Sequence, residues 1–438
     1  RNKLLKSYSP PRIWQFINEG DPYDAWDWQR EHIHEQSDKK RLILACGRRA
    51  GKTTAIKAEI VREALKPRDV QFGVAHAPYI YVIAPNYELT MKVWEPVWNL
   101  FVGDHAPLHD YYASHDKTRK LIQLANGARI QAKSADDPTA LQGDRVTAAF
   151  VDEAHDLNPE AWANFMPALA DSDGRLIAIG IARGKGNFRT YWNVGQEDDP
   201  RYYSASVTSL AHPNINEEAL DEFKRDLTES QYRQQYLAEW VEDDGQVFRN
   251  LDDCFDGDWE EPTDSQYLMG LDLGKIEDFT VAYVIDIKTM SIVARDRFNG
   301  LDYTLLGPRI AGLYKKYKCQ TIHLDGTGIG EPVADILRSE GCAVTSFKFT
   351  NQSKATLVST LAAEIEHGRV HFPKNDEILK KELELFEGVV LAGGSVKYGH
   401  PVGYHDDSVM AAGLAVMKAK KRNRTASQLR QRNYVTFG

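Results

Sequence analysis

Short apolar runs alternate with stretches of helical periodicity from about Leu42 to Val207. This alternation is typical of a largely parallel α/β sheet, because parallel strands need crossover connections between them. Asn126-Gly127 lies between two of the runs and predicts a hairpin turn there. The predicted strands of this half are RLILAC, YIYVIAP, LIQLA, ARIQAKS, AAFVD and RLIAIGIA.

The pattern changes in the middle of the chain. Residues 217–241 carry apolar positions at helical spacing and predict one or two amphipathic helices. The residues that follow are acidic, rich in turn formers and without periodicity, so we predict a domain boundary among them. The expected division is a first domain at 1–245 with the helical segment at its end, a linker at 246–265 and a second domain at 266–438.

The second half predicts three successive strands, a helix, a strand, a helix, a further strand, two helices, a hairpin and a last apolar helix. This order of elements is that of a ribonuclease H-like fold. The basic run at Lys418–Asn433 is expected to be a solvated, frayed tail. The segments are YLMGLDLG, FTVAYVIDI, SIVARDRF, LLGPRIAGLYKKY, TIHLDGTG, EPVADILRSEG, AVTSFKF, LVSTLAAEIEHG, EILKKELELFEGVV, GGSVKYGHPVGY and SVMAAGLAVM.

The bulk composition indicates an intracellular, globular protein. The chain has 438 residues, 42% of them hydrophobic and 27% charged, which suits two soluble domains. No apolar run approaches the roughly 20 residues that span a bilayer, and the first residues do not resemble a secretory signal. The four cysteines are scattered and predict no disulfide framework or zinc site. A net charge of −9 argues against a protein that coats DNA nonspecifically, although a motor or nuclease can be acidic overall.

A glycine-rich segment follows the first predicted strand and predicts a phosphate-binding loop. Cys46 stands where such loops usually have their first glycine, but Gly51, Lys52 and Thr53 are intact and a helix is predicted from Lys52. In such a loop the backbone N–H groups surround the phosphates, the lysine neutralises them and the hydroxyl binds Mg²⁺. The residues expected to contact ATP and its Mg²⁺ are Gln29, Gly47, Arg48, Arg49, Ala50, Gly51, Lys52, Thr53, Thr54 and Asp152.

Asp152 and Glu153 end another apolar strand about 100 residues later. The aspartate is expected to hold the Mg²⁺ water shell and the glutamate to activate the attacking water, so the chain is predicted to hydrolyse ATP. Gln29 is expected either to bond the adenine edge or to be an exposed helix residue.

Arginines and one later segment are candidates for finer roles at this site. Arg48 or Arg49 is a candidate for stabilising the transferring phosphoryl group, and Arg145 is a weaker one, acting from a neighbouring subunit. The segment GIARGKGNFRTYW is a candidate for sensing the γ-phosphate and coupling it to movement.

Four aspartates of the second half predict a nuclease centre. Asp272 lies inside an apolar strand, Asp325 ends another, and Asp406 and Asp407 open the last apolar helix. A buried carboxylate must be paired or bind metal, although Asp407 alone could be a helix N-cap. Two Mg²⁺ or Mn²⁺ ions about 3.5–4 Å apart would activate water and stabilise the leaving oxygen in phosphodiester cleavage. Further candidates are Asp278 as an outer ligand, His405 beside the metals and Lys397 on a DNA phosphate.

Taken in order, GRRAGKTT, AAFVDEAH, LMGLDLGKIEDFT, HLDGTG and HDDSVMAAG resemble the large terminase subunit of tailed bacteriophages. The resemblance covers nearly the whole chain and implies an N-terminal P-loop ATPase of the RecA-like (ASCE) type that pumps DNA into a preformed capsid. It also implies a C-terminal ribonuclease H-like nuclease that cuts concatemeric DNA. Lys52, Thr53, Arg48, Asp152 and Glu153 would serve the ATPase. Asp272, Asp325 and Asp406 would hold the nuclease metals, with Asp407 nearby.

The same resemblance implies double-stranded DNA, a portal protein and a small terminase subunit as partners. It implies a ring of copies during packaging, admits a monomer in solution, and places the protein in the bacterial cytoplasm, docked on the procapsid. Two departures stand out: Gln142 occupies the position of an expected arginine, and GIARGKGN matches the family's coupling motif imperfectly.

Three other functions are compatible with parts of the sequence. The letters DEAH suggest a nucleic-acid helicase, but that class needs a second RecA-like domain where this chain has acidic strands. A transposase-like or resolvase-like nuclease would make the phosphate loop vestigial. A non-enzymatic assembly scaffold would lack both activities.

Overall fold

The structure is a computed structural model. Within it, the chain divides into two compact units, and each is described by itself. Among the described residues, the first unit spans 23–221 and 230–241 and the second spans 222–229, 246–389 and 396–435. The residues that the structure describes are 23–67, 69–71, 74–241, 246–274, 279–300, 303–326, 330–390, 396–400 and 405–435.

The first unit is built on an eight-stranded sheet in the order β10-β1-β9-β8-β4-β7-β6-β5. From β10 to β7 every neighbouring pair is parallel, and β6 and β5 add an antiparallel edge through the predicted hairpin. The carboxyl ends of β1 and β8 therefore meet at one edge of the sheet, which is where ligands bind in such folds. The strands are β1 (Arg41–Cys46), β2 (Asp69–Gln71), β3 (Val74–His76), β4 (Tyr79–Ala84), β5 (Tyr112–Asp116), β6 (Leu121–Leu124), β7 (Arg129–Ser134), β8 (Ala148–Val151), β9 (Arg175–Gly180) and β10 (Tyr202–Val207).

The central strands are buried along their whole length. Every residue of β1, β4 and β9 is buried, as expected for parallel strands that helices cover on both faces. Asn86 caps one of these helices by accepting the N–H of Leu89, and Trp94 and Phe101 from the same helix pack into the core. The helices of the first half are α1 (Asp27–Gln29, continued by a wider turn at Arg30–His34), α2 (Lys52–Ala64), α3 (Tyr87–Phe101), α4 (Pro159–Ala170), α5 (Asn187–Val194), α6 (Glu217–Lys224) and α7 (Glu229–Gln235).

The second unit is built on a five-stranded sheet in the order β13-β12-β11-β14-β15. The first three strands are antiparallel, and β14 and β15 run parallel to β11, which confirms the predicted ribonuclease H-like arrangement. The elements are β11 (Tyr267–Asp272), β12 (Thr280–Asp286), β13 (Ser291–Phe298), α8 (Tyr303–Lys316), β14 (Ile322–Asp325), α9 (Gly330–Ser339), β15 (Val344–Phe347), α10 (Asn351–Glu366), α11 (Glu377–Leu385), β16 (Glu387–Val390), β17 (Val396–Gly399) and α12 (Asp407–Val435).

Helix α12 lies directly on the central strand. A Cβ on Gly270 of β11 would stand 2.2 Å from the carbonyl oxygen of Ala411 and 2.6 Å from the nitrogen of Ala415. Only glycine leaves room for this approach, since no real Cβ makes contacts that short. The start of α12 is thereby held close to the end of β11.

Three expectations from the sequence need correction. Residues 246–265, expected to be a linker, pack into the core of the second unit, where Phe248 and Cys254 are completely buried. The helix expected to continue to Val390 ends at Leu385, because Phe386 adopts extended backbone and the chain enters β16. The basic segment expected to be a frayed tail continues α12 as far as Val435.

The segment at 217–241 forms two helices, α6 and α7. Within the described part of the chain, no helix has both the length and the apolar character that crossing a membrane requires.

Candidate active sites

The loop between β1 and α2 has the conformation that its glycines permit. Gly51 has φ +85°, and a Cβ there would lie 2.4 Å from the ring of Trp26, so no other residue fits. Arg49 also has a positive φ, of 61°. Arg48 and Arg49 are exposed, whereas the side chain of Ala50 is completely buried. The two arginines are thus presented at the surface of the loop.

Backbone groups from later in the chain hold the first part of this loop. Gly47 donates its N–H to the carbonyl of Val207 (2.8 Å), and Arg48 donates its N–H to the carbonyl of Gln235 (2.7 Å). The hydroxyl of Ser209 donates to the carbonyl of Arg48 (2.7 Å). Nothing in the sequence identifies these contacts, because they involve backbone groups or a serine without a motif around it.

The predicted lysine and acidic pair meet at the edge of the sheet. Lys52 Nζ lies 3.3 Å from Oε1 of Glu153, and the backbone N–H of Glu153 donates to Oδ1 of Asp152 (3.0 Å). Glu153 has a φ of 49°, the left-handed conformation that a side chain adopts at a cost. Thr53 and Thr54 follow in the first turn of α2.

Burial and charge shift the pKa values of Asp152, Glu153 and Lys52 in different directions. Burial raises the pKa of Asp152 to about 6, and the charge of Glu153 adds to the effect. Burial also acts to raise the pKa of Glu153, but the ammonium of Lys52 outweighs it and the pKa is lowered. For Lys52, burial acts to lower the pKa, and the charges of Glu153 and Asp152 raise it instead. Glu153 is therefore ionised at neutral pH and paired with the lysine.

His155 connects the acidic pair to the segment expected to couple hydrolysis to movement. Its Nδ1 accepts the backbone N–H of Ile181 (3.2 Å) and lies 3.5 Å from Oε2 of Glu153. Burial lowers the pKa of His155 to about 3, so the ring is neutral and can accept that hydrogen bond. Beside it, Arg183 of the GIARGKGN segment forms an ion pair with Asp156. His155 was not among the residues predicted from the sequence.

Gln29 is not the exposed helix residue that was one of its two interpretations. Its side chain is 1% exposed, and its Nε2 donates to the carbonyl oxygen of Gly51 (3.0 Å). The carboxamide therefore contacts the phosphate loop directly, and its role towards adenine stays a prediction. Gln142 is exposed and donates to Oδ1 of Asn164 (2.8 Å). Arg145, the other candidate in that segment, is half-buried.

The acidic residues of the second unit converge. Leu271 pairs with Leu324 in the parallel strands β11 and β14, so Asp272 and Asp325, each one residue further on, end neighbouring strands. Burial raises the pKa of Asp272 well above its usual range, and the charges of Asp407, Asp406 and Asp325 raise it further. The charges of three other carboxylates thus act on Asp272.

Nitrogen groups surround the two aspartates at the start of α12. Lys354 Nζ lies 3.1 Å from Oδ2 of Asp406, and the N–H of Phe279 donates to Oδ2 of Asp407 (3.2 Å). Asp407 is the first residue of the helix and contacts another segment, which differs from the N-cap role considered for it. His405 Nδ1 lies 3.7 Å from Oδ2 of Asp407.

Among the described residues, no three Asp, Glu, His or Cys side chains stand in a geometry that would hold one ion. Lys354 provides the positive charge next to Asp406 in this arrangement. Asp278 lies outside the described residues, and Lys397 is exposed on β17.

Glu382 was not found by sequence reasoning. Its carboxylate accepts the N–H of Ser408 (2.8 Å) and the hydroxyl of Ser408 (3.0 Å), which fixes the first turn of α12 next to the aspartates. Burial raises its pKa to about 7. An isolated glutamate within EILKKELEL gives no signal that it caps a helix 26 residues later.

Both halves of the chain match family models. Residues 43–252 match the model described as terminase large subunit, T4likevirus-type, N-terminal, and residues 269–419 match the terminase RNaseH-like domain. The chain belongs to the large terminase subunits. This terminase is 28% identical over 432 residues to the large terminase subunit of Thermus virus P23-45, covering 87% of this chain and 85% of the relative.

Solved structures of large terminases resemble this chain. The large terminase of a thermophilic bacteriophage, solved in complex with ADP, is 13% identical, with a TM-score of 0.63 over 90% of this chain and 98% of that one, and so shares the fold. The large terminase nuclease of the thermophilic phage G20c with bound magnesium is 28% identical, with a TM-score of 0.38 over 40% of this chain and 98% of that one.

The terminase is thus an ATPase and a nuclease in one chain, a motor protein of viral DNA packaging. The helicase and resolvase-like alternatives are not favoured, since each lacks one of the two matched domains.

Proposed function

We propose that the first unit hydrolyses ATP to move double-stranded DNA into a procapsid, and that the second unit cuts concatemeric DNA with two divalent cations. The contact between Lys52 and Glu153, at 3.3 Å, carries the first part of this proposal. It brings the charged end of the phosphate loop to the acidic pair that follows β8, which is the arrangement that phosphoryl transfer requires.

At the ATP site, Lys52 binds the outer phosphates together with the loop residues Gly47, Ala50 and Gly51, and Arg48 or Arg49 stabilises the transferring phosphoryl group. Thr53 and Asp152 would hold Mg²⁺, which neutralises charge on the phosphates when bound. Their oxygens suit that ion.

Glu153 removes a proton from the attacking water. Its pairing with Lys52 keeps it ionised, and phosphate that takes over the ammonium releases the carboxylate to act as a base.

Coupling is assigned to the segment after β9. His155 lies against the carboxylate of Glu153 and accepts the N–H of Ile181, so a change at the γ-phosphate reaches the backbone of that segment within two contacts. Arg183 and Asp156 tie its next turn to the same place. Arg145 stays a candidate for acting on a neighbouring subunit.

At the nuclease site, Asp272, Asp325 and Asp406 would hold the two cations, with Asp407 nearby. The donor set supports this, because carboxylate oxygens suit Mg²⁺ or Mn²⁺, and burial together with three like charges raises the pKa of Asp272. When bound, such ions activate water and stabilise the leaving oxygen. Lys354 now neutralises Asp406 and would have to yield to a cation there.

Family membership supports a proposal for the partners. We propose that copies of the chain form a ring on a portal protein, receive DNA from a small terminase subunit, and work in the bacterial cytoplasm while docked on the procapsid.

Two assays on the full chain test the proposal. ATP turnover measured with and without double-stranded DNA should rise with DNA, and plasmid should be cleaved with Mg²⁺ or Mn²⁺. ATP turnover that ignores DNA would contradict the motor, and uncut plasmid under all metal conditions would contradict the nuclease.

A further inference from the structure

A run of buried polar side chains leads from the middle of α2 to the phosphate loop. Gln29, His34 and Glu59 are at most 1% exposed, and Tyr23 is 5% exposed. Polar groups buried among apolar residues reduce stability unless each is hydrogen-bonded, so their arrangement has to be specific. The four side chains form one continuous hydrogen-bonded network.

The carboxamide of Gln29 is fixed at both ends. Its Nε2 donates to the carbonyl of Gly51 (3.0 Å), while its Oε1 accepts the backbone N–H of Trp26 (3.0 Å) and the hydroxyl of Tyr23 (3.0 Å). A flipped amide would set nitrogen against the N–H and oxygen against the carbonyl. Only one orientation therefore satisfies the surroundings.

Tyr23 is itself held from behind. Its hydroxyl oxygen lies 2.9 Å from Nε2 of His34, and the two rings meet edge to face with centroids 5.7 Å apart. On the other side of the imidazole, Nδ1 lies 2.6 Å from Oε1 of Glu59. The tyrosine has no freedom to rotate without breaking these contacts.

Glu59 anchors this network to the core of the first unit. Arg175, at the start of β9, donates to Oε2 of Glu59 (2.6 Å) and to Glu63 (3.1 Å), and Arg62 lies 3.2 Å from Oε2. A buried carboxylate paired in this way stays in one position, because moving away from its partners would leave an uncompensated buried charge.

At its other end, the network contacts one peptide group of the phosphate loop. Gly51 is the N-cap of α2, and its carbonyl belongs to the same planar unit as the N–H of Lys52. In a trans peptide the two groups point in opposite directions, so fixing the carbonyl of Gly51 on Gln29 also fixes the direction of the Lys52 N–H. Backbone N–H groups at this point of a phosphate loop bind the nucleotide.

We propose that Tyr23, His34 and Glu59 are positioning residues of the ATP site. Through Gln29 they keep the Gly51–Lys52 peptide in the orientation that binds phosphate. This inference rests on the proposed function of the loop and adds residues that no sequence motif contains.

Tyr23→Phe tests this network by removing one hydroxyl. If fewer molecules hold the loop in the binding orientation, the KM for ATP rises in proportion while kcat at saturation stays the same. We expect a rise of about fivefold in KM, the size that follows from losing one buried hydrogen bond. Tyr203→Phe is the matched control, since Tyr203 makes the same kind of bond to Nδ1 of His32 (2.6 Å) without leading to Gln29. Its KM should equal that of the parent chain.

A double-mutant cycle separates positioning from general stability. In a Gln29→Ala background, Tyr23→Phe should change KM no further, because its effect passes through the missing carboxamide. Fully additive changes, or equal KM values for Tyr23→Phe and Tyr203→Phe, would overturn the inference. Should Tyr23→Phe fail to fold, His34→Gln takes its place in the same cycle.

Lys52→Ala in the same assay distinguishes a failure of the proposed ATP site from a failure of the positioning role. If it hydrolyses ATP like the parent chain, the proposed ATP site is wrong. If it is inactive and Tyr23→Phe is unchanged, only the positioning role fails.

Discussion

Lys52 and Glu153 stand 101 residues apart in the chain, and their side chains form an ion pair 3.3 Å long. The lysine starts α2, and the glutamate follows β8, in a left-handed conformation that turns it towards the loop. Each holds the other in its charged form until a nucleotide enters. In the proposed mechanism, the pair joins phosphate binding to water activation.

Lys52→Ala should reduce ATP hydrolysis by about a hundredfold or more, because a preorganised charge next to the phosphates is lost. Plasmid cleavage by the same full-length variant should be unchanged, since the carboxylates proposed to bind metal belong to the other unit. Lys66→Ala, two residues after the end of α2 and paired with Glu63, is the control for the loss of a lysine next to this helix. Loss of cleavage in Lys52→Ala would contradict the separation of the two activities.

Glu153→Gln should lower kcat for ATP by about a thousandfold and leave the KM within a factor of two or so, because the amide still accepts from Lys52 but removes no proton. Steady-state ATP turnover measures both constants. Glu160→Gln, on the exposed face of α4, should behave as the parent chain. A similar loss in Glu160→Gln, or a small loss in Glu153→Gln, would exclude Glu153 as the base.

Asp272→Asn should abolish plasmid cleavage with both Mg²⁺ and Mn²⁺ while ATP hydrolysis continues, because a charged ligand of the proposed metal site is lost. Asp296→Asn is the matched control: Asp296 lies on β13 of the same sheet and pairs with Arg309 (2.7 Å). Cleavage by this control should be normal. Nicking of plasmid by Asp272→Asn would remove Asp272 from the metal site.

Glu59 should make the stability of the first unit depend on acid pH. Burial opposes its charge, but His34, Arg175 and Arg62 outweigh this and lower its pKa to about 2, from an ordinary 4.5. A lowered carboxyl pKa stabilises the fold above pH 4.5, and this stabilisation of about 3 kcal/mol disappears as the pH falls towards 2.

Hydrogen exchange in α2 at pH 7 and pH 3 measures this effect. The free energy of opening should fall less between these values in Glu59→Gln than in the parent chain. In Glu88→Gln, which changes a side chain that is 86% exposed, the free energy of opening should fall as much as in the parent chain. Equal pH dependence in all three would show that Glu59 does not contribute.

Much of the site could be read from the sequence because its residues break the pattern around them. Lys52 follows a glycine after an apolar strand, and Asp272 interrupts one. Parallel strands then bring such residues to one edge of a sheet, as β11 and β14 do with Asp272 and Asp325. Local pattern and topology agree at these positions.

Other parts depend on contacts that leave no local mark. The carbonyls of Val207 and Gln235 hold the loop through groups that every residue has. Glu382 looks like any helix glutamate until Ser408 is folded against it. The strand β16 was expected to continue the helix of EILKKELELFEGVV. A Cβ on Gly388 would lie only 3.2 Å from Val396 of the facing strand β17, and this pairing decides the structure of the segment.

The absence of a side chain at Gly270 bears on how cutting is kept in check. Backbone touches backbone there, so Asp272, two residues further on, and the aspartates that open α12 share a common rigid frame. If these carboxylates bind the metals as proposed, such a frame leaves little freedom to spread them apart. We therefore infer that cutting is controlled at the substrate's path to the carboxylates or at the ammonium of Lys354.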